Sequence, residues 1–276
     1  MSQGKVWFIT GCSKGLGKVL AEEVLKKGGR VAATARDPKT LADLKKKGAK
    51  GYKLDVNNEA EVKAVTAKIV ADFGSIDVLV NNAGYGLAGA VEEVSDMEAR
   101  AQLDTNVFGA LNGCRAVLPQ MRKQKSGHIL QISSMAGMTS APGLGVYNAS
   151  KYALEGFSEA LALETKALGI RVTIIEPGPF RTDWAGPSLI KAKVEIADYA
   201  KTAGQTRGYL DSVSGNQDGD PVKAAKAMIG AVEADKPPLR LALGAYAVEK
   251  IRAKLERTLK ELAAWEPVSV DTAFDK

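Results

Sequence analysis

Residues 10–17 read TGCSKGLG and directly follow the apolar run KVWFIT at residues 5–10. The three glycines of this loop stand at positions 11, 15 and 17. The loop opens a segment with helical spacing, so backbone N–H groups and the positive end of a helix dipole are expected to meet there. That arrangement suits a pyrophosphate, whereas a glycine-rich turn without a ligand is the alternative interpretation.

Short apolar runs alternate with segments of helical spacing along the whole chain. The predicted strands are 5–10, 30–35, 51–54, 76–81, 128–133, 171–176 and 239–243. The predicted helices are 16–27, 38–47, 58–72, 98–123, 147–168, 221–233 and 247–265. Parallel strands need crossover connections of helix length, so the alternation predicts a doubly wound α/β fold with helices on both faces of the sheet. Ligands of such sheets bind beyond the carboxyl ends of the strands.

One segment interrupts this alternation. Residues 177–221 are rich in Gly, Pro and small polar residues around a short possible helix at 190–201. We expect 183–220 to form a lid over the ligand, with a plain surface loop as the alternative. No repeat or linker is evident, so we predict one domain over 1–276 that ends in a C-terminal helical extension, 247–276.

Composition excludes several classes of function. The chain has 276 residues, of which 45% are hydrophobic, and its 38 basic and 32 acidic residues give a net charge of +6. These charges are interleaved, as in EKIRAKLERTLKELAAW (249–265), which argues against nucleic-acid binding. We find no apolar run of about 18 residues and no basic leader, so a cytoplasmic protein without a membrane segment is expected. Cys12 and Cys114 lack the spacing of a disulfide scaffold or a zinc site.

Six motifs occur in a characteristic order. They are TGCSKGLG (10–17), NNAG (81–84), TNVFG (105–109), ISSMAG (132–137), YNASK (147–151) and PGPFRT (177–182). With these motifs the sequence resembles the short-chain dehydrogenase/reductases over about residues 5–245. The resemblance implies a Rossmann fold of about seven parallel strands, a nicotinamide cofactor and interconversion of carbonyls and alcohols.

The resemblance also implies catalytic residues. Tyr147 and Lys151 correspond to the family's catalytic pair, Ser134 to its serine and Asn106 to its fourth catalytic position. Ser133 competes for the serine role, although the family's spacing favours Ser134. The single histidine, His128, begins a predicted strand, where a hydrogen-bonded structural role is expected.

A tyrosine needs help to act as an acid and base, because its hydroxyl normally titrates near pH ~10. Lys151 lies one helical turn after Tyr147, and its ammonium group, aided by the positive nicotinamide ring of the oxidised cofactor, is expected to lower the tyrosine pKa toward neutrality. Ser134 would then hydrogen-bond the substrate oxygen. The family resemblance implies that Asn106 anchors a water that links Lys151 to solvent.

The end of the second predicted strand bears on the choice of cofactor. An acidic residue there would bind the ribose of NAD(H), whereas a cation accommodates the 2′-phosphate of NADP(H). Counted from Gly17 as in the family, the acidic position falls on Ala35 and is followed by Arg36, and Lys14 resembles a second basic position of the NADP-preferring members, so the resemblance implies NADP(H). A register slip would give the ribose role to Asp37 and favour NAD(H). The resemblance implies further cofactor contacts at Gly11, Ser13, Gly15, Leu16, Gly17, Asp55, Val56, Asn81, Ala83, Gly84, Tyr147, Lys151, Pro177, Gly178 and Thr182.

The expected substrate pocket is mostly apolar, which predicts a neutral, hydrophobic ketone or aldehyde. Its predicted walls are Leu87, Met135, Leu144, Phe180, Trp184 and Leu189. An NAD-dependent hydroxysteroid or retinol dehydrogenase is an alternative, and a non-catalytic dinucleotide-binding regulator is a more distant one. The helices at 98–123 and 147–168 resemble the family's dimer-forming surface, so a homodimer or homotetramer is expected. No metal site is expected.

Overall fold

The centre of the molecule is a parallel β-sheet of seven strands. The computed structural model describes residues 4–186 and 188–274, so Pro187 of the predicted lid and the last two residues of the predicted extension lie outside the described residues. In chain order the strands are β1 (Val6–Ile9), β2 (Arg30–Ala35), β3 (Lys50–Lys53), β4 (Val78–Asn81), β5 (Gly86–Ala88), β6 (Gly127–Ile132), β7 (Ile170–Pro177), β8 (Leu189–Lys191) and β9 (Arg240–Leu243).

Nine α-helices connect or follow these strands in the described part of the chain. They are α1 (Gly15–Lys26), α2 (Ala42–Lys46), α3 (Glu59–Phe73), α4 (Asp96–Leu103), α5 (Gly109–Gln124), α6 (Gly145–Thr165), α7 (Gln205–Val213), α8 (Pro221–Glu233) and α9 (Ala245–Val270). Short 3₁₀ and π turns lie between several of them.

The large sheet has the strand order β3-β2-β1-β4-β6-β7-β9, which confirms the predicted doubly wound fold. The chain leaves β1 toward β2 and β3 on one side and returns to β4 on the other. This reversal opens a crevice beyond the carboxyl ends of β1 and β4, where doubly wound sheets bind their ligands. The glycine loop at 10–17 lies at this point, between β1 and α1.

Helices cover both faces of the sheet and create two cores. On one face, α1 and α8 pack against β1, β2 and β4, with Leu20, Met228 and Ile229 in the contact. On the other, α3, α5 and α6 pack against the same sheet, with Ile69, Met121 and Leu161 in the contact. The strands are therefore buried on both sides, which explains why their sequences are apolar runs rather than alternating patterns.

Two local predictions differ from the structure. The predicted helix 98–123 is divided into α4, a π-helical turn (Asp104–Phe108) and α5. The possible helix at 190–201 is instead strand β8 followed by a 3₁₀ turn (Ala197–Tyr199). The strand forms because Leu189–Lys191 pairs in parallel with β5 in a separate two-stranded sheet, a contact that local sequence does not report.

Candidate active site

The glycine loop has the backbone geometry that its sequence predicts. Gly11 and Gly15 adopt left-handed conformations with φ of +70° and +61°, where a side chain would be strained. A Cβ on Gly17 would collide with the Asn82 side chain and would lie 2.7 Å from the Gly11 carbonyl oxygen. Lys14 precedes α1 in an extended conformation, and no side chain of the described residues caps this helix. The loop and the uncapped N–H groups of α1 fit the pyrophosphate of a dinucleotide.

Two residues that the sequence analysis did not identify hold this loop in place. The Thr10 hydroxyl accepts hydrogen bonds from the backbone N–H groups of Asn82 (2.9 Å) and Ala83 (3.0 Å). The Asn82 amide donates to the carbonyl oxygens of Thr10 (2.8 Å) and Gly11 (3.0 Å). Asn82 is the second asparagine of NNAG and directly follows β4, the strand beside β1. That motif was the sequence feature from which its role could have been predicted.

Three of the predicted catalytic residues come together beyond β6. Tyr147 and Lys151 are buried on α6, where the Lys151 Nζ lies 5.9 Å from the centre of the Tyr147 ring. The Ser134 hydroxyl acts on the Tyr147 phenol from just beyond the end of β6, where it helps to lower the pKa of that tyrosine. It also accepts a hydrogen bond from the Ala136 N–H at 3.1 Å. The Lys151 ammonium donates to the Ile132 carbonyl oxygen at 2.8 Å.

The predicted lowering of the tyrosine pKa is wrong for the protein alone. Burial raises the pKa of Tyr147 to about 12, and the hydrogen bond from Ser134 offsets this only in part. Burial also lowers the pKa of Lys151 to about 8, against the opposing attraction of Glu155. The Lys151 ammonium group is directed at the Ile132 carbonyl oxygen rather than at the phenol. Its effect on the Tyr147 pKa is therefore smaller than that of desolvation. In this arrangement Tyr147 is a phenol, the proton-donating form.

Asn106 lies in the π-helical turn, which adds one residue to the helical path and directs the side chain inward. Its Oδ1 accepts a hydrogen bond from the Tyr85 N–H at 3.1 Å, and its Nδ2 donates to the Tyr85 carbonyl oxygen and the Ser150 hydroxyl, both at 3.0 Å. A Cβ on Gly84 would lie 3.0 Å from Asn106 Oδ1 and 3.8 Å from Lys151 Nζ, so these three residues adjoin one space.

The predicted substrate wall is assembled only in part. Leu144, Trp184 and Leu189 form one apolar cluster with Tyr147, and the Trp184 and Tyr147 ring centres are 5.2 Å apart. Leu87 is buried in β5, and Met135 is partly buried in the turn after Ser134. The ring of Phe180 differs, because it packs over Gly219 and against the core on the α1 and α8 face.

Three residues near the expected cofactor site bear on the choice between NAD(H) and NADP(H). Arg36, which directly follows β2, and Lys14, within the glycine loop, are both exposed, with no ion pair to either in 4–186 or 188–274. Asp37 begins a 3₁₀ turn (Pro38–Leu41) and accepts a hydrogen bond from the Lys39 N–H at 2.9 Å. Its carboxylate is thus already engaged in capping, which weakens the register-slip alternative.

Several other predicted contacts are only partly available to a ligand. The Asn81 amide is buried and donates to the Ala110 carbonyl oxygen (3.1 Å) and to Gln131 Oε1 (2.9 Å). Val56 and Leu16 pack against the two cores, so their backbone atoms are what a ligand would meet. The Asp55 carboxylate accepts the Asn57 N–H at 3.0 Å. Pro177 ends β7, Gly178 and Thr182 follow it, and Thr182 faces Gly15 of the glycine loop.

A buried acidic cluster behind Lys151 was not predicted. Arg240 Nε lies 3.3 Å from Glu155 and 3.4 Å from Glu176, whose carboxylates are almost fully buried. Burial raises the pKa of both groups, that of Glu176 to about 7. The Ser133 hydroxyl is buried against Glu155 rather than Tyr147, which favours Ser134 for the catalytic role.

His128 lies in β6 and has the hydrogen-bonded environment that its position predicts, with its Nε2 2.9 Å from the Thr173 hydroxyl. Burial lowers the pKa of His128 to about 4, so the ring is neutral near pH 7. Among the described residues, no group of His, Cys, Asp or Glu is placed to hold a metal ion. Within those same residues, none of the helices is both long and apolar enough to span a bilayer.

Comparison with known proteins adds independent evidence. A family model described as short chain dehydrogenase matches residues 5–192. A relative from Botryotinia fuckeliana, Oxidoreductase BOA17, is 40% identical over 273 residues, which cover 98% of this chain and 99% of the relative. The 3-ketodihydrosphingosine reductase of Bacteroides thetaiotaomicron is 38% identical over 76% of this chain and 73% of its own length. Human retinol dehydrogenase 8 is 36% identical over 84% of this chain and 79% of its own.

Solved structures agree with these relatives. A short-chain dehydrogenase from Streptomyces avermitilis superimposes with a TM-score of 0.92 at 40% identity, covering 98% of this chain and all of the other. A short-chain dehydrogenase/reductase from Burkholderia phymatum in complex with NAD gives a TM-score of 0.82 at 25% identity, over 95% and 97% of the two chains. A metagenomic short-chain oxidoreductase in complex with NADP gives 0.69 at 26% identity, over 87% and 97%.

Proposed function

The chain belongs to the short-chain dehydrogenases, and from this premise we propose that it reduces hydrophobic ketones or aldehydes with NADPH. The observation that carries the proposal is the convergence of Tyr147, Ser134 and Lys151 beyond β6, at the same edge of the sheet as the glycine loop that follows β1. A nicotinamide dinucleotide is the cofactor type of its relatives with bound ligand, among which both NAD and NADP occur. Bound in the crevice, it would supply or accept the hydride.

The protein's own residues supply the proton and the polar contacts. Tyr147, a phenol with a pKa of about 12, gives its proton to the substrate oxygen as the carbonyl is reduced. Ser134 donates a hydrogen bond to the same oxygen, and the nearby Lys151 ammonium stabilises the phenolate that forms. Asn106 adjoins Lys151 and anchors the water through which the lysine exchanges protons with solvent.

The preference for NADP(H) rests on charge at the end of β2. Arg36 is exposed there and Lys14 is exposed in the glycine loop, and a guanidinium group pairs well with a phosphate dianion. Asp37, the residue that would instead bind the ribose of NAD, uses its carboxylate to cap the turn at 38–41. These three features together favour a 2′-phosphate over a 2′-hydroxyl.

The substrate class follows from the apolar cluster around Tyr147. Leu144, Trp184 and Leu189 form an apolar surface beside Tyr147. A neutral, apolar substrate is therefore favoured. Two relatives are named for retinol and for 3-ketodihydrosphingosine, both of which carry long apolar groups. Oxidation of a retinol-type alcohol with NAD is the second candidate, favoured by the identity with the retinol dehydrogenase.

A substrate panel distinguishes these candidates. Purified protein is mixed with NADPH or NADH and a matched series of ketones, aldehydes and steroids of increasing apolar length, and oxidation of the cofactor is followed at fixed salt. Steady turnover with NADPH that improves with apolar length supports the proposal. Turnover of retinol with NAD alone would favour the second candidate, and cofactor binding without turnover of any compound would favour a non-catalytic role.

A further inference from the structure

The last helix, α9, leaves the body of the molecule. Near its start, Ala247 and Ile251 are buried against the rest of the chain. From residue 255 onward every described residue is exposed, up to position 274. At ~1.5 Å per residue, the exposed helical part from 255 to 270 extends about 24 Å.

This extended part carries an apolar stripe that a lone helix in water does not need. Val248, Ile251, Leu255, Leu259 and Leu262 recur at spacings of three and four residues, so they share one face of the helix. The first two residues belong to the part of α9 nearest the body, and no described residue covers the continuation of the stripe. Leu255, Leu259 and Leu262 are 47%, 65% and 61% exposed.

Trp265 lies at the edge of this stripe and is also 65% exposed. Surface helices bury such a face against another element, and a continuous exposed stripe marks an interaction surface. The remaining question is the nature of the partner.

Charge along α9 indicates the partner. Between residues 249 and 266 the helix has five basic and four acidic side chains, a difference of one, whereas membrane-surface helices carry a strongly basic polar face. The charges are also unevenly placed along the axis. Residues 249–257 contain four basic and two acidic side chains, and residues 258–271 contain one basic and three acidic. A second α9 running in the opposite direction would match each basic half with an acidic half.

We propose that α9 binds α9 of a second copy of this chain, antiparallel, with Leu259 at the centre of a two-fold contact. In this register, two residues that lie side by side in the two helices have numbers that add up to 518. Arg252 then lies level with Glu266 on one flank of the stripe, and Lys254 lies within one turn of Glu261 on the other. Because the contact is two-fold symmetric, each attraction occurs twice.

This surface differs from the one that the family resemblance implies. That surface lies on α5 and α6, where Tyr152 and Leu163 are exposed. Two distinct two-fold contacts on one chain can build a tetramer from two dimers. The α9 contact would then be the one that joins the dimers.

The first test measures the mass of the full-length protein by light scattering. Leu259→Glu places a charge in the centre of the stripe, whereas Lys260→Glu changes charge on another face of the same exposed helix. We expect Leu259→Glu to halve the particle mass relative to wild type at equal concentration, and Lys260→Glu to leave it unchanged. Circular dichroism checks that both variants fold. An unchanged mass for Leu259→Glu would overturn the proposal. The proposal would also be overturned if wild-type protein bound phosphatidylcholine–phosphatidylserine vesicles through α9 and the particle mass did not change on substitution of Leu259.

The second test determines direction with single cysteines and a short bismaleimide cross-linker. The native Cys12 and Cys114 are buried, which raises the pKa of their thiols to about 12 and about 11, so they do not compete. Leu259→Cys should cross-link two chains. Arg252→Cys should not, because the antiparallel register separates its two copies by 14 residues, about 21 Å along the axis. Cross-linking at both positions, or at neither, would overturn the antiparallel arrangement.

A charge exchange provides a further check. Arg252→Glu places like charges opposite each other twice and should raise the dissociation constant of the α9 contact several-fold at low salt. Adding Glu266→Arg in the same chain restores opposite charges and should recover most of the affinity. If the double variant bound no better than Arg252→Glu, the proposed register would be wrong.

Discussion

Tyr147 can be tested without disturbing its surroundings. Phenylalanine keeps the ring that packs against Trp184 and removes only the hydroxyl. We expect Tyr147→Phe to lower kcat by at least ~10²-fold with unchanged cofactor affinity, since general acid catalysis contributes about 10²–10⁴-fold. Tyr152→Phe, on an exposed part of the same helix, is the control. A Tyr147→Phe variant with more than about a tenth of wild-type turnover would remove the tyrosine from the proton-donor role.

The pH dependence of carbonyl reduction should report Lys151. Tyr147, with a pKa of about 12, stays protonated from pH 6 to 9, whereas Lys151 loses its proton near pH 8. Reduction measured as kcat/KM should therefore be level below about pH 7 and decline above about pH 8, as the charge that stabilises the phenolate disappears. Lys151→Arg keeps a permanent charge, so its profile, although lower, should lack this decline. A wild-type profile that is level to pH 10 would contradict the assignment.

The residues at the end of β2 should determine cofactor preference. Ala35→Asp with Arg36→Ile places a carboxylate where a ribose 2′-hydroxyl can use it and removes the cation that attracts the phosphate. We expect the ratio of kcat/KM for NADPH and NADH to exceed one in wild type and to fall below one in the double variant. The ratio is measured at fixed salt because exposed charges are screened. A wild type that prefers NADH would transfer the ribose role to Asp37.

Among the secondary-structure elements, those specified by a local sequence pattern could be predicted. Parallel strands buried on both faces need continuous apolar runs, so all seven strands of the large sheet were predictable. Helix α8 was predictable to the residue because Asp220 caps it and Pro221 occupies its first position. The small β5 and β8 strands were not, because three-residue strands that pair across about 100 residues leave no local signal.

Site residues divide in the same way. Tyr147, Lys151, Ser134 and Asn106 belong to motifs, from which they could be proposed as catalytic residues. The Glu155, Glu176 and Arg240 cluster could not, because its members come from α6, β7 and β9 and meet only in three dimensions. The π-helical turn at Asn106 was also invisible, since the extra residue does not change the apolar periodicity enough to mark it.

A buried ion pair anchors the predicted lid. Arg207 of α7 lies 2.5 Å from Glu93, whose carboxylate is fully buried and also accepts the Ala90 and Ile196 N–H groups. The guanidinium group is the main reason that the pKa of Glu93 falls to about 2. Removing one member of such a pair leaves an uncompensated charge and costs about 3–5 kcal/mol.

We therefore expect Arg207→Met to loosen residues 189–213 before the sheet unfolds, seen as faster proteolysis and amide exchange in that segment. Adding Glu93→Gln should recover part of the protection, because it removes the charge and keeps an acceptor for the N–H groups. Lys191→Met breaks an exposed pair with Asp211 in the same segment and should have little effect. Equal effects of Arg207→Met and Lys191→Met would show that the buried pair does not anchor the lid.

For the whole molecule, two buried groups give stability opposite dependences on pH. His128 has a pKa of about 4, below its unfolded value, because burial and the charges of Arg171 and Lys5 disfavour the imidazolium. The unfolded chain then binds more protons between pH 4 and 6.5, so this contribution is lost as pH falls through that window. Glu176 has a pKa of about 7, above its unfolded value, so its contribution is lost as pH rises from about 4.5 to beyond 7.

Single substitutions should separate these two contributions. Relative to Glu176→Gln, wild type should lose unfolding free energy as pH rises from 5 to 8, on the order of 1–3 kcal/mol, since one pKa unit corresponds to about 1.4 kcal/mol. Relative to His128→Gln, wild type should lose stability as pH falls from 7 to 4.5. Urea unfolding at several pH values measures both differences, and neighbouring Glu155 and Arg240 are left unchanged. The prediction would be contradicted if wild type gained stability relative to Glu176→Gln as pH rises. Arg240 would then hold Glu176 ionised in the folded protein, and the buried cluster would carry one more charge than its geometry implies.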